Sequence, residues 1–260
     1  VRSQNRCAVG LAVLAALWGG GAVGDDGLSF PVDPPWDYVG DAGPEHWGGL
    51  DPAFATCAEG RSQSPIDIRG ARRIVYTPLL FRYRSHQLEL VNTGRGIRLL
   101  TPPGSALVIR GSAYDLSYVD FHVPGEHRIE GERYDAELQL VHHDRQGGHA
   151  VVAVGLRAAE RDNRIFERIL DHLPARPGER TRHRQIGVNP LFLLPLDRGY
   201  FRYHGSLTQP PCRESALWLV FGEPLEVGVR QLQRLRAVIG ENARPVQPLD
   251  GREVLALPRY

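Results

Sequence analysis

The chain contains no methionine and no lysine, so all 31 of its basic residues are arginine. Selection for forked anion contacts would produce such a bias, but genomic base composition explains it more simply. Charge of either sign is scarcely in excess, with 31 basic against 30 acidic residues. That balance provides no strong field for nucleic acid. No internal repeat and no low-complexity tract is present. Long hydrophobic runs are also missing: the most apolar stretch, residues 7–18, is too short to span a bilayer comfortably. Cysteine is sparse, at three residues. What remains is 260 residues at 42% apolar, enough to bury a large core in one or two domains.

The basic opening Val1-Arg2-Ser3-Gln4-Asn5-Arg6, the apolar residues 7–18 and the small residues of 19–24 read as a secretory signal peptide over 1–24. The mature chain is then 25–260, secreted or periplasmic, with no integral membrane domain after cleavage. Cleavage removes Arg2, Arg6 and no acid, so the remainder stays close to neutral. It also removes Cys7, leaving Cys57 and Cys212. An even pair in an exported protein suggests one disulfide.

Residues 30–49 are rich in Pro, Gly and Trp and are expected to form an irregular arm lying across the body. From about 87 to 154 the pattern changes to short β-prone runs broken by Gly and Pro, at 88–91, 97–101, 106–110, 116–122, 137–143 and 150–156. Residues 162–173 have helical spacing through Ile165, Ile169 and Leu170, with Pro174 as the stop. A second helix fits 229–239, with Leu232, Leu235, Val238 and Ile239 on one face and Gly240 ending it. The composition is therefore mixed α and β.

Two of these strands carry the chemistry. Residues i and i+2 of a strand share a face, so Asp120 and His122 project together, as do Glu137, Gln139, Val141 and His143 on the other. Around them lie Gln63-Ser64-Pro65-Ile66-Asp67-Ile68, Glu126-His127, Tyr203-His204-Gly205-Ser206-Leu207-Thr208-Gln209-Pro210-Pro211-Cys212 and Asn242-Ala243-Arg244-Pro245-Val246-Gln247-Pro248-Leu249. In order and spacing these blocks resemble the α-class carbonic anhydrases over about 36–258. The even spread of the blocks favours one domain. The resemblance implies a sheet-dominated fold with a single twisted, mostly antiparallel sheet of about ten strands and peripheral helices. It also implies a disulfide between Cys57 and Cys212.

The family holds zinc on three histidines, two in a His-x-His pattern and one in a Glu-Leu-His-Leu-Val-His stretch. The matching positions here are Asp120, His122 and Gln139, so the resemblance implies a metal site with one histidine left. A carboxylate lowers the charge of such a site, and an amide oxygen is a hard donor better suited to Ca or Mg. A metal-free polar floor is the favoured reading; the alternatives are zinc held weakly by Asp120 and His122 with Gln139 or water, and relocated ligands such as His143. His142 faces the other way by alternation, and His127, His149, His172 and His183 lie outside the motif as surface or core residues. Glu137 and Asn242 match residues that orient the family's ligands, while Tyr118 replaces a glutamine with that role. Glu126 and Thr208 match the pair that aligns zinc-bound hydroxide. Val141, Ala153, Leu207 and Trp218 resemble the apolar wall that holds carbon dioxide, with Gln209 on the rim. Arg95 stands where the family places a proton-shuttling histidine, and a guanidinium cannot relay protons.

The expectation from sequence is an exported carbonic-anhydrase-like protein that has lost efficient zinc-dependent hydration of carbon dioxide. It would require no cofactor and act as a binding or interaction module for an anion, glycan or protein partner, not nucleic acid. The alternative is an enzyme interconverting carbon dioxide and bicarbonate with zinc on Asp120, His122 and Gln139.

Overall fold

The computed structural model describes residues 36–75 and 77–258; the expected signal peptide over 1–24 lies outside the described residues. Ten strands follow one continuous path across the main sheet. In spatial order they are Arg180–Val188, His86–Asn92, Ile97–Leu100, Ser112–His122, Ala136–His143, His149–Ala159, Ala216–Phe221, Tyr200–Gly205, Leu255–Leu257 and Arg72–Arg73. Two more strands, Ala106–Ile109 and Leu225–Gly228, pair with members of that path, and Leu80–Arg82 pairs with Ala106–Ile109. Most pairings are antiparallel; His149–Ala159 runs parallel to Ala216–Phe221 and to Leu225–Gly228. A separate small sheet joins Asp67–Ile68, Arg128–Ile129 and Glu132–Arg133.

The central strands are covered on both faces, so they read as apolar runs with few polar interruptions. Leu138 and Leu140 point to one side, into a core shared with Leu90, Leu99, Val152, Val154, Phe166 and Leu219. Glu137, Gln139 and Val141 are also buried, on the opposite face, where Val141 joins a second cluster with Val151, Ala153, Tyr203 and Trp218. Polar residues on a doubly covered strand must find partners inside the protein, and this requirement shapes the site.

The helix expected at 229–239 is Val229–Ile239, ended by Gly240 at a φ of 66° that favours glycine. The other is shorter than its apolar spacing suggests. It runs only over Arg164–Leu170, because the Asn163 side chain accepts from the backbone N–H groups of Ile165 and Phe166 and sets its start. The arm is more ordered than expected: Gly40–Ala42 and Trp47–Leu50 are short helical turns. Trp36, Tyr38 and Trp47 pack edge-to-face there, with both tryptophans buried. Cys57 and Cys212 are bonded to each other in a cluster with these rings.

Candidate functional site

Register builds the site. Asp120 sits directly across from Gln139 on one side and from Arg98 on the other, and Gln139 is across from Ala153. Cross-strand neighbours share a face, so Arg98, Asp120, Gln139 and Ala153 form one row. The next row contains His122 opposite Glu137.

Arg98 is one residue that reasoning from sequence missed. Its Nε and Nη2 donate to the two carboxylate oxygens of Asp120, each at 2.7 Å, in a forked ion pair. The pair is largely shielded, with side-chain exposures of 22% for Arg98 and 10% for Asp120. Tyr118 lies flat beneath, its ring centroid 3.6 Å from the guanidinium carbon. Burial pushes the Tyr118 phenol up to about 12, so it stays neutral at physiological pH. Burial alone would lower the Arg98 pKa, but the Asp120 charge and hydrogen bonds outweigh it and hold Arg98 protonated.

Gln139 donates from Nε2 to Glu126 at 2.6 Å and to Glu137 at 3.0 Å. Two carboxylates can only accept when ionised, so the NH₂ end of the amide must face them. Glu137 is ionised: burial opposes its charge, yet His127 and the amide bonds bring its pKa down to about 2. The Gln139 carbonyl is left facing the Thr208 hydroxyl, at a long 3.5 Å. The other Glu126 oxygen accepts from the Arg244 backbone N–H. Glu126 and Thr208 therefore both engage Gln139, which lies between them.

His122 Nδ1 donates to the Asn242 carbonyl at 2.9 Å, so in the neutral ring Nε2 carries the lone pair. That Nε2 is buried with no hydrogen-bond partner. Burial pulls the imidazole pKa down, but the Glu126 carboxylate and the Asn242 carbonyl more than offset this, so it is raised. Asn242 is held in turn by Val123, Phe121 and Arg95 backbone groups.

His143 does not share the site. A register irregularity between Val141 and His142 breaks the alternation, and His143 is exposed with Ser117 as its partner. His142 is buried on the other face, while His127 is a core residue bridging Glu137 and Tyr203. His149 bonds Ser215, and His172 packs against His183. Arg95 is folded onto the arm: Nε donates to the Trp36 carbonyl at 2.7 Å and the guanidinium lies over the Trp36 ring. Val141, Ala153 and Trp218 are buried together with Leu207 at their edge, and Gln209 bonds the Tyr38 hydroxyl at the rim. Tyr38 and Arg244 had not been anticipated. Arg244 is buried and binds Gln63, Ser64 and Cys57, tying the segment 57–64 to its own behind Glu126.

The eukaryotic-type carbonic anhydrase profile matches residues 42–258. A carbonic anhydrase of Nostoc sp. is 38% identical over 225 residues, 85% of each protein. The α-carbonic anhydrase of Thermovibrio ammonificans, solved with the inhibitor sulfanilamide, superimposes with a TM-score of 0.82 at 38% identity, over 85% of this chain and 99% of that one. Dioscorin, solved in complex with ascorbate, superimposes with a TM-score of 0.80 at 31% identity, over 87% of this chain and 99% of that one. The chain belongs to the eukaryotic-type, or α, carbonic anhydrase family, whose characteristic activity is that of a lyase acting on carbon dioxide and bicarbonate. Among the described residues, no helix is long and apolar enough to cross a membrane.

Proposed function

We propose that this protein is an exported member of the family that has lost efficient zinc-dependent hydration of carbon dioxide and serves as a binding or interaction module. The observation that carries this reading is the Arg98–Asp120 pair. Zinc catalysis needs three protein donors and an open position for water. His122 fits, because its buried Nε2 lone pair has no partner. The other two positions do not fit. Both Asp120 oxygens are taken by a fixed cation, and a metal there would have to displace or face the guanidinium. Gln139 turns its NH₂ toward Glu126 and Glu137 and has only a carbonyl to offer. A proton relay through Arg95 is also excluded by its chemistry and by its engagement with Trp36.

The buried cross-link between Cys57 and Cys212 favours an oxidising compartment, consistent with the leader read in the sequence. The floor is polar and, apart from His122 Nε2, hydrogen-bonded, with apolar residues beside it, which suits a small anion, a glycan or a protein side chain. Dioscorin, described in complex with ascorbate, shares this fold. The competing reading, hydration of carbon dioxide on a metal held by Asp120, His122 and Gln139, requires Arg98 to move away. Elemental analysis of protein purified without added metal tests the proposal, with well under one zinc per chain as the expected result. Stoichiometric zinc that survives dialysis against a mild chelator, together with stopped-flow hydration of carbon dioxide, would overturn it.

A further inference from the structure

Beside the polar floor, and sharing only Tyr38 and Glu126 with it, is a cavity of about 240 Å³. Two arginines line it. Arg128 and Arg133 are direct cross-strand partners in the hairpin formed by Arg128–Ile129 and Glu132–Arg133. Glu130 and Gly131, both at positive φ, close that hairpin. Like charges placed opposite each other in an antiparallel pair repel. Among the described residues neither arginine forms an ion pair with a carboxylate, although Glu126 and Glu241 line the same space. Asp67, beside Arg128 in the small sheet, is engaged by Arg69 and by the Gly131 N–H. The Arg128 side chain has no hydrogen bond or ion pair among the described residues, while Arg133 Nε donates to the Gly125 carbonyl. Burial, and next the charge of Arg128, lower the pKa of Arg133.

The rest of the wall limits what could bind. Pro124, Ala243, Pro245 and Val246 supply an apolar side, and Tyr38 an aromatic one. Two carboxylates also line the space. Glu126 is fully engaged by Gln139 and Arg244, and Glu241 is paired with Arg236. They can tolerate one negative charge between the arginines but oppose a second, which disfavours phosphate and sulfate. We propose that this cavity binds a small organic monocarboxylate, its two oxygens forked by Arg128 and Arg133 and its apolar body against the proline, alanine and valine wall. Guanidinium geometry matches a carboxylate in this way. The site does not depend on whether the floor holds metal, because no residue of the Asp120, His122 and Gln139 set contributes to it.

Calorimetric titration of the full chain with benzoate, benzamide and inorganic phosphate tests this. Benzoate is expected to bind with one site per chain, at least tenfold more tightly than phosphate, and neutral benzamide not at all. Arg128→Gln should weaken benzoate at least tenfold. Without ligand, Arg128→Gln should melt at or above the wild-type temperature, because it removes a repulsion and no internal bond. Arg98→Gln, which alters only the floor, should leave benzoate binding unchanged. Benzoate binding lost in Arg98→Gln but kept in Arg128→Gln would place the ligand on the floor and overturn the proposal. Phosphate binding as tightly as benzoate, or an unliganded Arg128→Gln protein that melts several degrees lower, would overturn it as well.

Discussion

Arg98 does at the floor what a bound cation would do: it neutralises Asp120 and fixes its direction. A buried forked ion pair is costly to break from one side only, because the remaining charge is stranded, at about 3–5 kcal/mol. This changes how a zinc site could be rebuilt. Asp120→His with Gln139→His supplies three imidazoles, yet it leaves the Arg98 guanidinium directly across from the first of them. A positive charge at that distance opposes a divalent ion. The double variant should therefore hold zinc weakly, and the triple variant with Arg98→Gln should hold it at least tenfold more tightly. Cobalt substitution would read this through the visible bands of a tetrahedral site. A double variant that binds cobalt as tightly as the triple would show that Arg98 does not block the site. In either variant the Arg95 guanidinium stays protonated and cannot relay a proton, so any hydration should depend on buffer concentration.

At the scale of elements, strand 136–143 presents opposite chemistry on its two sides. On the core side His142 is buried as a neutral imidazole: Nδ1 donates to the Ala150 carbonyl, and Nε2 accepts from the Tyr83 hydroxyl at 2.6 Å. Burial brings its pKa down to about 4. An unfolded chain has an ordinary histidine there, near 6.5. Above that value both states are neutral and the full stability is present. As pH falls from about 6.5 toward 4 the unfolded state alone takes up the proton, so stability is lost, by roughly 3 kcal/mol at most for this one group. His142→Asn should flatten the dependence of denaturation midpoint on pH across that window, and an unchanged slope would refute the assignment. The same strand shows what the sequence disclosed and what it hid. Alternation placed Glu137 and Gln139 on one side and His142 on the other. It failed at His143, where the irregularity after Val141 takes the side chain out to Ser117. Arg98 was unreadable for a related reason. Its strand was expected at 97–101, but pairing with Asp120 depends on register between segments about twenty residues apart, which periodicity within one segment does not specify.

Over the whole molecule, the site is assembled from segments far apart in sequence. Gln63 donates to the Cys212 carbonyl, Arg244 donates to the Cys57 carbonyl and to Gln63, and Cys212 donates its N–H to Gln209 beside Thr208. The motif blocks that marked the family in the sequence are thus held against one another around the cross-link. The pairing was implied by that resemblance and by there being only two cysteines outside residues 1–24. The buried guanidinium of Arg244, its pKa lowered by burial to about 10, carried no comparable signal. The bond between Cys57 and Cys212 spans a sequence separation of 155 residues. On the chain-entropy account, closing a loop of that length restricts the unfolded chain enough to stabilise the fold by about 5 kcal/mol. That is a large share of the total for a domain with ordinary stability. Replacing both cysteines by serine should lower the unfolding free energy by about 3–5 kcal/mol. It should also raise the denaturant m-value, because an unfolded chain without the cross-link exposes more surface. Equilibrium unfolding in urea measures both. A loss below about 1 kcal/mol with an unchanged m-value would mean that the hydrogen bonds of Gln63 and Arg244 hold these segments together without the bond.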